Sequence, residues 1–408
     1  MSSKKVEKEH KVIKSVLETC CPYCESKDFV KRGVRENKHQ VVQLYLCKNT
    51  ECGRTFTQSD VKGKKFPLNV IIAGITLYNL GYTFEQCCFA LEQKYKICPD
   101  VDTLMNWYEE YKPLLRFERM RSYALKMYRA KDMVEEVNMA HRQLYRFRYH
   151  RAKMRLMLEE FGNRNLSRLK EYLDAVTSET PHQYFQDGER MSEVKSKFST
   201  ADMIVKSKFN FANKLTGFVL GAVTENKLRH DALQKFMLAN DSVTVATEVP
   251  VYIRREDVEY MENILKFKVS DRPAADVENA EIKAGTITLK GSKKPIPFPK
   301  MLSGHIDIVQ IRNGCVHLLD YKPNASKERP IEQLTWYALA LSRLTGLRLF
   351  EFKCGWFDEK DYYQFFPLHV VKKLRPSASK NPRRRIVRFK DGTKVEVPKE
   401  NSGKVIII

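Results

Sequence analysis

The chain has 408 residues and a formal net charge of +22 at pH 7. That length suits two or three domains, and so large a basic excess is unusual for an enzyme of small-molecule metabolism and favours nucleic acid as the partner. No apolar run reaches the roughly 18 residues of a membrane span, no secretory leader is recognisable, and the ten cysteines are scattered. We therefore expect a cytoplasmic protein without membrane association, bound to the nucleoid if the source is prokaryotic.

Two cysteine pairs predict a zinc site in residues 1–60. Cys21 and Cys24 form the first pair, and Cys47 and Cys52 follow about twenty residues later. This spacing is typical of a zinc ribbon, in which four thiolates hold Zn²⁺ at a closed, structural site. Cys20 adjoins Cys21 and is an alternative ligand, although its spacing to Cys24 is one residue too long for the usual turn.

Apolar residues recur at helical spacing in residues 61–115. They predict three helices, at Ile71–Leu80, Phe84–Tyr95 and Val101–Tyr111, with lengths that suit a helix-turn-helix unit. Three-helix units are also common cores. The neighbouring zinc ribbon favours the DNA-binding interpretation.

Residues 116–199 predict a basic helical linker. Arg116 to Leu173 is highly charged, free of proline and helical in pattern, and Thr177 to Ser199 is more polar. Within this region, Arg142 to Lys153 alternates basic and aromatic residues. That pattern suits either a helix that lies on phosphates or a solvated helix that joins the two halves of the chain.

Residues 200–371 predict an α/β domain, and residues 372–408 a basic tail in which residues 386–397 fit a small hairpin. Ser270 to Lys294 is a polar insertion, which is either a substrate-specific arm or a loop. The other predicted elements are a helix at Val223–Leu238, central strands up to Tyr321, a helix at Ile331–Leu344, and strands at Arg348–Cys354 and Tyr362–Leu368.

The most informative segment is a hairpin predicted around Asn313-Gly314. Asn-Gly between two alternating apolar runs favours a two-residue type I′ turn, and such a turn fixes the register of the two strands. With Arg312 paired to Cys315, the register places Asp307 opposite Asp320. Their Cβ atoms would lie about 5 Å apart.

The two facing carboxylates predict a metal site, because they repel each other unless one is protonated or a divalent cation lies between them. Lys322 lies on the same strand face as Asp320. Mg²⁺ or Mn²⁺ here would polarise a phosphodiester and activate water, with an ammonium group close by. The alternative is an ordinary hairpin with acidic residues on its solvent-exposed face. The apolar run around Asp320 argues against it, since burying charge is costly.

These residues resemble the motifs of the PD-(D/E)XK nucleases, and within them the RecB-like branch. Gly304-His-Ile-Asp307 looks like the G-x-x-D strand of that branch, Asp320-Tyr-Lys322 like its (D/E)-x-K strand, and Gln333-Leu-Thr-Trp-Tyr337 like the Q-x-x-x-Y of its next helix. The resemblance implies that Asp307 and Asp320 are metal ligands and that Lys322 is the catalytic lysine. It also implies supporting or substrate-contacting roles for Gln333 and Tyr337.

The first acidic or histidine position of that branch has two candidates. Glu248 looks like the glutamate of the first strand, which completes a metal shell, and His230 looks like the histidine of the preceding helix. A lone histidine on a helix is more often structural, so both rank below the hairpin residues. Some RecB-like nucleases carry a four-cysteine iron–sulfur cluster. Only Cys315 and Cys354 are present in this region, so none is predicted.

The predicted fold class is therefore multidomain, with an N-terminal zinc ribbon, an all-α helix-turn-helix, a helical linker and a C-terminal α/β restriction-endonuclease-like domain. The first two units are similar to DNA-binding regions of transposases and resolvases. Together the resemblances imply a Mg²⁺- or Mn²⁺-dependent nuclease that hydrolyses double-stranded DNA, of the kind found in mobile elements or viruses, with structural Zn²⁺. Two alternatives stay open: a non-catalytic DNA-binding regulator that retains the nuclease fold, and an RNA-processing nuclease.

Overall fold

The computed structural model describes residues 20–57, 65–115, 118–160, 163–193, 198, 204–223, 225–267, 269, 281–283, 286–288, 296–297, 301–372, 385–388, 394–397 and 406–407. Over these residues the protein is a mixed α/β structure built around one ten-stranded sheet, with a separate three-stranded sheet near the N-terminus. None of the helices in these ranges is both long and apolar enough to cross a membrane.

The N-terminal sheet consists of three antiparallel strands, β1 (Phe29–Asn37), β2 (Gln40–Cys47) and β3 (Thr55–Thr57). The rings of Phe29, Tyr45 and Phe56 pack together, with centroids 5.3 to 5.6 Å apart. Cys21 and Cys47 are buried against this small cluster. An apolar core of this size stabilises a fold only weakly, so the unit needs an additional restraint.

Three helices follow at the predicted places, α1 (Leu68–Asn79), α2 (Phe84–Tyr95) and α3 (Val101–Leu115). Thr83 caps α2 in a reciprocal capping box with Gln86. Apolar side chains of all three helices, Trp107 among them, share one core cluster with residues of the main sheet. The amide of Asn79 also donates to Oδ1 of Asn240 at 2.7 Å. The three-helix unit thus packs directly onto the rest of the molecule.

The predicted continuous helix between Arg116 and Leu173 is wrong over residues 134–150. After α4 (Glu118–Met127), two strands, β4 (Val134–His141) and β5 (Gln143–His150), form an antiparallel hairpin. The basic helix predicted at Arg142–Lys153 is therefore a strand as far as His150. The reason is tertiary, because Arg148 is only 1% exposed and forms ion pairs with Glu136 and Asp231.

The rest of the predicted linker is also ordered where it is described. It contains α5 (Arg151–Glu160), α6 (Ser167–Glu179), α7 (His182–Asp187) and β6 (Glu189–Arg190). The short strand β6 pairs with β12 of the main sheet. The region predicted to be a linker is therefore part of that sheet.

The second half of the chain supplies most of the main sheet. Its elements are β7 (Val205–Lys206), α8 (Phe211–Leu220), α9 (Arg229–Asn240), β8 (Thr244–Arg254), α10 (Arg255–Asn263), β9 (Glu281–Lys283), β10 (Thr286–Thr288), β11 (Ile296–Pro297), β12 (Met301–Arg312), β13 (Cys315–Tyr321), α11 (Ile331–Thr345), β14 (Phe352–Phe357), β15 (Tyr362–Phe365), α12 (Pro367–Val371), β16 (Arg385–Arg388), β17 (Lys394–Val397) and β18 (Ile406–Ile407). In the predicted polar insertion, β9 and β10 form a small sheet with β11. In the tail, β16 pairs with β17, and the predicted turn between them lies outside the described residues.

The main sheet has the strand order β18-β7-β15-β14-β13-β12-β8-β5-β4, with β6 beside β12. Its pairs are antiparallel except β13 with β14, β6 with β12 and β18 with β7. Asn313 and Gly314 have φ values of 51° and 74°, the positive values that a type I′ turn needs, and Arg312 pairs with Cys315. The predicted hairpin register is confirmed.

Helices cover both faces of this sheet. Along β12, Ile308 belongs to the core cluster of α1, α2, α3, α8 and α9, whereas Val309 and Ile311 belong to the cluster of α6 and α11. From Ile308 to Ile311 this is the period of two expected of a strand buried on both faces. Ile306 belongs to the cluster of α6 and α11, so the alternation is interrupted at Asp307. The residues between Ser303 and Asp307 lie where α9 and α11 approach the sheet from opposite sides.

Candidate catalytic and metal-binding sites

Two carboxylates meet at the centre of the main sheet. In the ladder between β12 and β13, Ile308 pairs with Leu319. One step further, Asp307 and Asp320 are neighbours, and each shifts the pKa of the other. The geometry predicted from the turn is therefore present in the structure.

Asp320 is buried and Asp307 is partly buried, and their pKa values depart from those of ordinary carboxyl groups in opposite directions. Burial, and after it the negative charge of Asp307, raises the pKa of Asp320 well above its usual value. Burial acts in the same direction on Asp307, but contacts with His230, and after them with Asp320 and Lys322, together hold the pKa of Asp307 below its usual value. The two carboxyl groups therefore oppose each other's ionisation, and a cation between them would relieve that conflict.

Glu248, on β8, adds a third carboxylate beside Asp307 and Asp320, and the three form what we call the carboxylate row. Its backbone conformation is unusual. Its sequence neighbour Thr247 pairs with Ile308, so Glu248 lies across the ladder from Asp307. The φ of Glu248 is 51°, in the left-handed region that residues with a Cβ rarely adopt. Burial and then the charge of Asp307 raise the pKa of Glu248 to about 8. A strained residue at a partly buried acidic position is typical of functional sites.

Helix α9 places two polar side chains over this row. Nδ1 of His230 lies 3.4 Å from Oδ2 of Asp307. Nε2 of Gln234 donates to Oε1 of Glu248 at 2.6 Å. Residues four apart share one helix face, so each contacts a different carboxylate. The sequence motifs identified His230 and missed Gln234. The spacing of four from His230 is the signal that would have found it.

Lys322 follows β13 directly and lies at the end of the row. Its Nζ is 3.0 Å from Oδ2 of Asp320, and its backbone N–H donates to the carbonyl of Phe357 at 3.0 Å. Burial disfavours the charged ammonium, but the attraction of Asp320 outweighs it and raises the pKa of Lys322. A positive charge is thus held beside the acidic pair.

The motif residues of α11 reach the same place from the other face of the sheet. Nε2 of Gln333 donates to the hydroxyl of Tyr337 at 2.8 Å. The Tyr337 ring packs against the β12 backbone at Gly304, because a Cβ at that position would lie 2.5 Å from Cε1 of the ring. The structure therefore brings all seven candidate residues into one neighbourhood, in three contact groups: Asp307 with Asp320, Lys322 and His230; Glu248 with Gln234 across from Asp307; and Gln333 with Tyr337.

A cavity of about 160 Å³ opens beside this row. Glu248, Asp307, Gln333 and Tyr337 line one side of it. The other side comes from the region predicted to be a linker and from β12, through His141, Tyr145, Phe185, Arg190, Ser192, Ser303 and His305. No motif marks the residues that come from the predicted linker. His141, Tyr145 and Arg190 reach the cavity because β4, β5 and β6 belong to the main sheet.

The donor set of the row fits a hard divalent cation in type, since Mg²⁺ and Mn²⁺ prefer carboxylate oxygens. In the described part of the chain, the only group that brings at least three ligand atoms within 4.8 Å of one another consists of cysteines. The three carboxylates are adjacent without converging to that spacing. All three are engaged by other side chains, Asp307 by His230, Asp320 by Lys322 and Glu248 by Gln234.

Four thiols converge at the N-terminal sheet. The Sγ atoms of Cys21, Cys24, Cys47 and Cys52 all lie within 4.8 Å of one another, with Cys21 and Cys52 3.6 Å apart and Cys24 and Cys47 3.5 Å apart. Zn–S bonds of about 2.3 Å imply tetrahedral sulfur–sulfur distances of about 3.8 Å, whereas a disulfide needs about 2.05 Å. The cluster could bind a metal ion such as Zn²⁺. Its members are the predicted four, without Cys20.

The charge state of this cluster also suits a metal ion. Burial opposes ionisation of Cys21, but hydrogen bonds from the backbone N–H groups of Tyr23 and Cys24 outweigh it and lower the pKa of Cys21 to about 7. Burial and neighbouring thiols raise the pKa of Cys47 to about 12. Four thiols at these distances cannot all ionise without a cation, and a bound metal ion removes that conflict.

Comparison with known proteins assigns no family to this geometry. No family model, curated protein or solved structure matches the chain. Its function must therefore follow from the side chains themselves.

The central site combines three properties. It has three neighbouring carboxylates on adjacent strands, a lysine held beside Asp320, and a cavity that borders Glu248 and Asp307. Negative charge that develops on a phosphate is stabilised by such cationic groups in a site with little water. An ordinary structural ion pair would need neither the cavity nor the strained backbone of Glu248.

Proposed function

We propose that the chain is a metal-dependent nuclease that hydrolyses phosphodiester bonds of DNA. The observation that carries the proposal is the row formed by Glu248, Asp307 and Asp320 on three adjacent strands, with Lys322 3.0 Å from Asp320. Adjacent carboxylates with limited access to solvent are unfavourable by themselves. A fold that maintains them beside a cavity is best explained by a cation and an anionic substrate.

Glu248, Asp307 and Asp320 are the oxygen donors that would hold Mg²⁺ or Mn²⁺. When bound, such an ion supplies Lewis acidity towards the phosphate and lowers the pKa of a water ligand. Lys322 holds a positive charge at the end of the row, where it stabilises negative charge on the phosphate oxygens. In this proposal the three carboxylates bind the metal ion and the ammonium group of Lys322 stabilises charge on the substrate.

His230 and Gln234 are positioning residues in this proposal. They hold Asp307 and Glu248 from α9, and neighbours that fix the orientation of metal ligands commonly change metal affinity by about 10- to 100-fold. Gln333 and Tyr337 close the α11 side of the cavity. Their hydrogen bond to each other leaves the rest of both polar groups for a substrate.

Two further observations support the finer assignments. A β-hairpin followed by α11 brings the three motif parts together in space, which supports a restriction-endonuclease-like domain of the RecB-like branch. The thiol cluster, the three-helix unit and the net charge of +22 support an N-terminal region that binds DNA and a structural Zn²⁺. Non-specific DNA binding of this origin weakens steeply as salt is raised.

The proposal is tested by cleavage of labelled linear, circular and single-stranded DNA, and of RNA of matched sequence, with and without Mn²⁺. The variant is Asp320→Asn, which keeps the side-chain volume and removes the anionic donor. We expect metal-dependent cutting by the wild type and a loss of roughly 100-fold or more in the variant. Asp174→Asn is the matched control, because Asp174 is a surface residue of α6 paired with Lys170.

Each outcome has a distinct meaning. Tight DNA binding without cutting of any substrate would overturn the nuclease proposal in favour of a regulator. Cutting of RNA alone would reassign the substrate. Full activity of Asp320→Asn would show that the chemistry takes place elsewhere in the chain.

A further inference from the structure

The exposed face of α3 is acidic. In a helix-turn-helix unit the last helix enters the major groove and places its N-terminal residues on the base edges. The exposed residues of α3 include Asp102, Glu109 and Glu110, and its one basic residue, Lys112, pairs with Glu109 at 3.3 Å. Phosphates that approached this face would meet net negative charge. The three-helix unit therefore needs another surface if it contacts DNA.

The chain directly after α3 carries the opposite charge. Between Arg119 and Lys131 the sequence has five basic residues and no acidic one. Lys126, Arg129 and Lys131 are exposed. Arg129 pairs with Asp132 at 3.0 Å, and 79% of the arginine side chain is still exposed. Ion pairs of this kind contribute little, so a phosphate can compete with Asp132 for the guanidinium.

These three basic side chains line a groove of about 630 Å³ between α4 and the turn that joins α1 to α2. Lysine, arginine, glutamine and tyrosine side chains are among those that contact phosphate and sugar in protein–DNA complexes. All four types are present in the groove. We name it the α4 groove, and its polar lining consists of Tyr82, Gln86, Lys126, Tyr128, Arg129 and Lys131.

The two sides of the α4 groove are held together. The guanidinium of Arg121 donates to the carbonyls of Tyr78 and Tyr82 at 2.8 and 2.9 Å, and it lies 4.0 Å from the centroid of the Tyr78 ring. In the facing turn, Gly81 has a φ of +100°, and a Cβ there would lie 2.9 Å from Cε of Met133. The basic side chains thus project from a fixed surface.

The α4 groove lies one strand length from the central cavity. Strand β4 begins three residues after Lys131 and ends at His141, which lines that cavity. Eight strand residues at about 3.3 Å each span roughly 26 Å. Duplex DNA advances about 3.4 Å per base pair, so about seven or eight base pairs cover the same distance. One continuous duplex is therefore long enough to contact both places.

We propose that the α4 groove binds the sugar–phosphate backbone of duplex DNA, with Lys126, Arg129 and Lys131 on its phosphates, and that α3 makes no base contact. The inference rests on the proposed DNA target and names the surface that holds it. A small ligand is a poorer occupant, because small-molecule sites bury most of their ligand and the cations here are exposed. Contacts to phosphate alone carry no sequence preference.

The test is fluorescence anisotropy of a labelled duplex of about 20 base pairs, without Mg²⁺ or Mn²⁺, at salt concentrations from about 50 to about 200 mM. Lys126→Gln with Lys131→Gln should raise Kd roughly tenfold and lower the slope of log Kd against log salt by about 2, which is about 0.9 for each lost phosphate contact. Lys112→Gln with Lys170→Gln is the matched control. It removes the same two charges from α3 and α6 and should change Kd by less than about twofold.

A second variant tests α3 directly. Met105 and Asn106 are exposed on it, and their joint replacement by alanine should leave Kd within about twofold of wild type. A large loss of affinity in this variant would assign DNA reading to α3 and overturn the inference. Replacement of Lys126 and Lys131 by arginine should keep the affinity and the salt slope, which separates loss of charge from misfolding.

The outcomes also separate this inference from the nuclease proposal. Equal losses in the two double-lysine variants would show that only total charge matters, and a wild type that does not bind duplex DNA would leave the α4 groove without its occupant. Either result overturns the inference. The assay contains no catalytic metal, so a protein that binds through the α4 groove and cuts no substrate would overturn the nuclease proposal alone.

Discussion

Gly304 and Tyr337 are in direct contact across two elements: a Cβ at position 304 would lie 2.5 Å from Cε1 of the Tyr337 ring. Gly304 has no positive φ among the described backbone angles, so the close approach of the ring explains the glycine. The ring is 5% exposed and is hydrogen-bonded by Gln333. The glycine and the tyrosine that the sequence motifs mark separately thus form one packing unit at the rim of the cavity.

Gly304→Ala should therefore destabilise the protein and reduce cleavage. The buried ring cannot move away freely, so the added methyl group should cost about 1–3 kcal/mol in free energy of unfolding, measured by urea titration. Displacement of Tyr337 should lower kcat/KM by roughly tenfold. In a Tyr337→Ala background the cost of Gly304→Ala should largely vanish. An undiminished cost there would place the strain somewhere other than this contact.

Gln234→Leu should weaken metal binding by the active protein. It removes the donor that holds Oε1 of Glu248 at 2.6 Å and leaves a partly buried carboxyl group without that contact. We expect the Mn²⁺ concentration for half-maximal cleavage to rise by roughly tenfold or more. Lys235→Gln changes the next residue of α9, which is exposed, and should leave that concentration unchanged. Equal shifts in both variants would mean that α9 acts only through its packing.

The central hairpin could be predicted from sequence because its determinants are local. Asn313 and Gly314 fix the turn, the turn fixes the register, and the register places Asp307 beside Asp320. Convergence of the four cysteines could be predicted for the same reason, since each pair is a short-range turn. The position of Glu248 beside Asp307 could not be predicted in this way, because it depends on the pairing of β8 with β12, and local sequence signals do not indicate which strands pair.

The β4–β5 hairpin could not be predicted in this way. Its basic residues suggested a helix, either on phosphates or in solvent. Arg148 is instead buried in a strand, because Glu136 and Asp231 neutralise it, and Asp231 lies 83 residues away in sequence. From sequence alone a charged residue is expected to be exposed, because burying it is costly unless a partner neutralises it. Because this hairpin was predicted as a helix, the cavity residues His141 and Tyr145, which belong to its two strands, could not be identified from the sequence.

Removal of the thiol cluster should unfold the N-terminal sheet alone. We expect about one zinc per chain in the wild type by elemental analysis and none in Cys24→Ser with Cys47→Ser. Residues 20–57 should then become sensitive to protease, because the ring cluster around Phe56 is too small to hold them. Cys98→Ser changes an exposed cysteine outside the cluster and should keep its zinc. Retention of full zinc by the double variant would rule out the four-cysteine site.

A buried lysine predicts how stability depends on pH. Lys153 is fully buried, donates to the carbonyl of Leu238 at 2.5 Å and lies 3.4 Å from Oδ1 of Asp241. Burial outweighs the attraction of Asp241 and lowers the pKa of Lys153 to about 8. In an unfolded chain a lysine titrates near about 10.4. Between these values the unfolded state binds more protons than the folded state, so this lysine adds stability as pH rises through that window.

The comparison is between the wild type and Lys153→Met, unfolded with guanidinium at several pH values from about 8 to about 10.4. The difference in free energy of unfolding, wild type minus variant, should increase by on the order of 2–3 kcal/mol from the low to the high end of this pH range. Lys170→Met changes a lysine on the surface of α6 and serves as the control, with no such gain expected. A constant difference between wild type and Lys153→Met would show that Lys153 keeps its proton in the folded protein, and that Asp241 stabilises the buried charge more than burial opposes it.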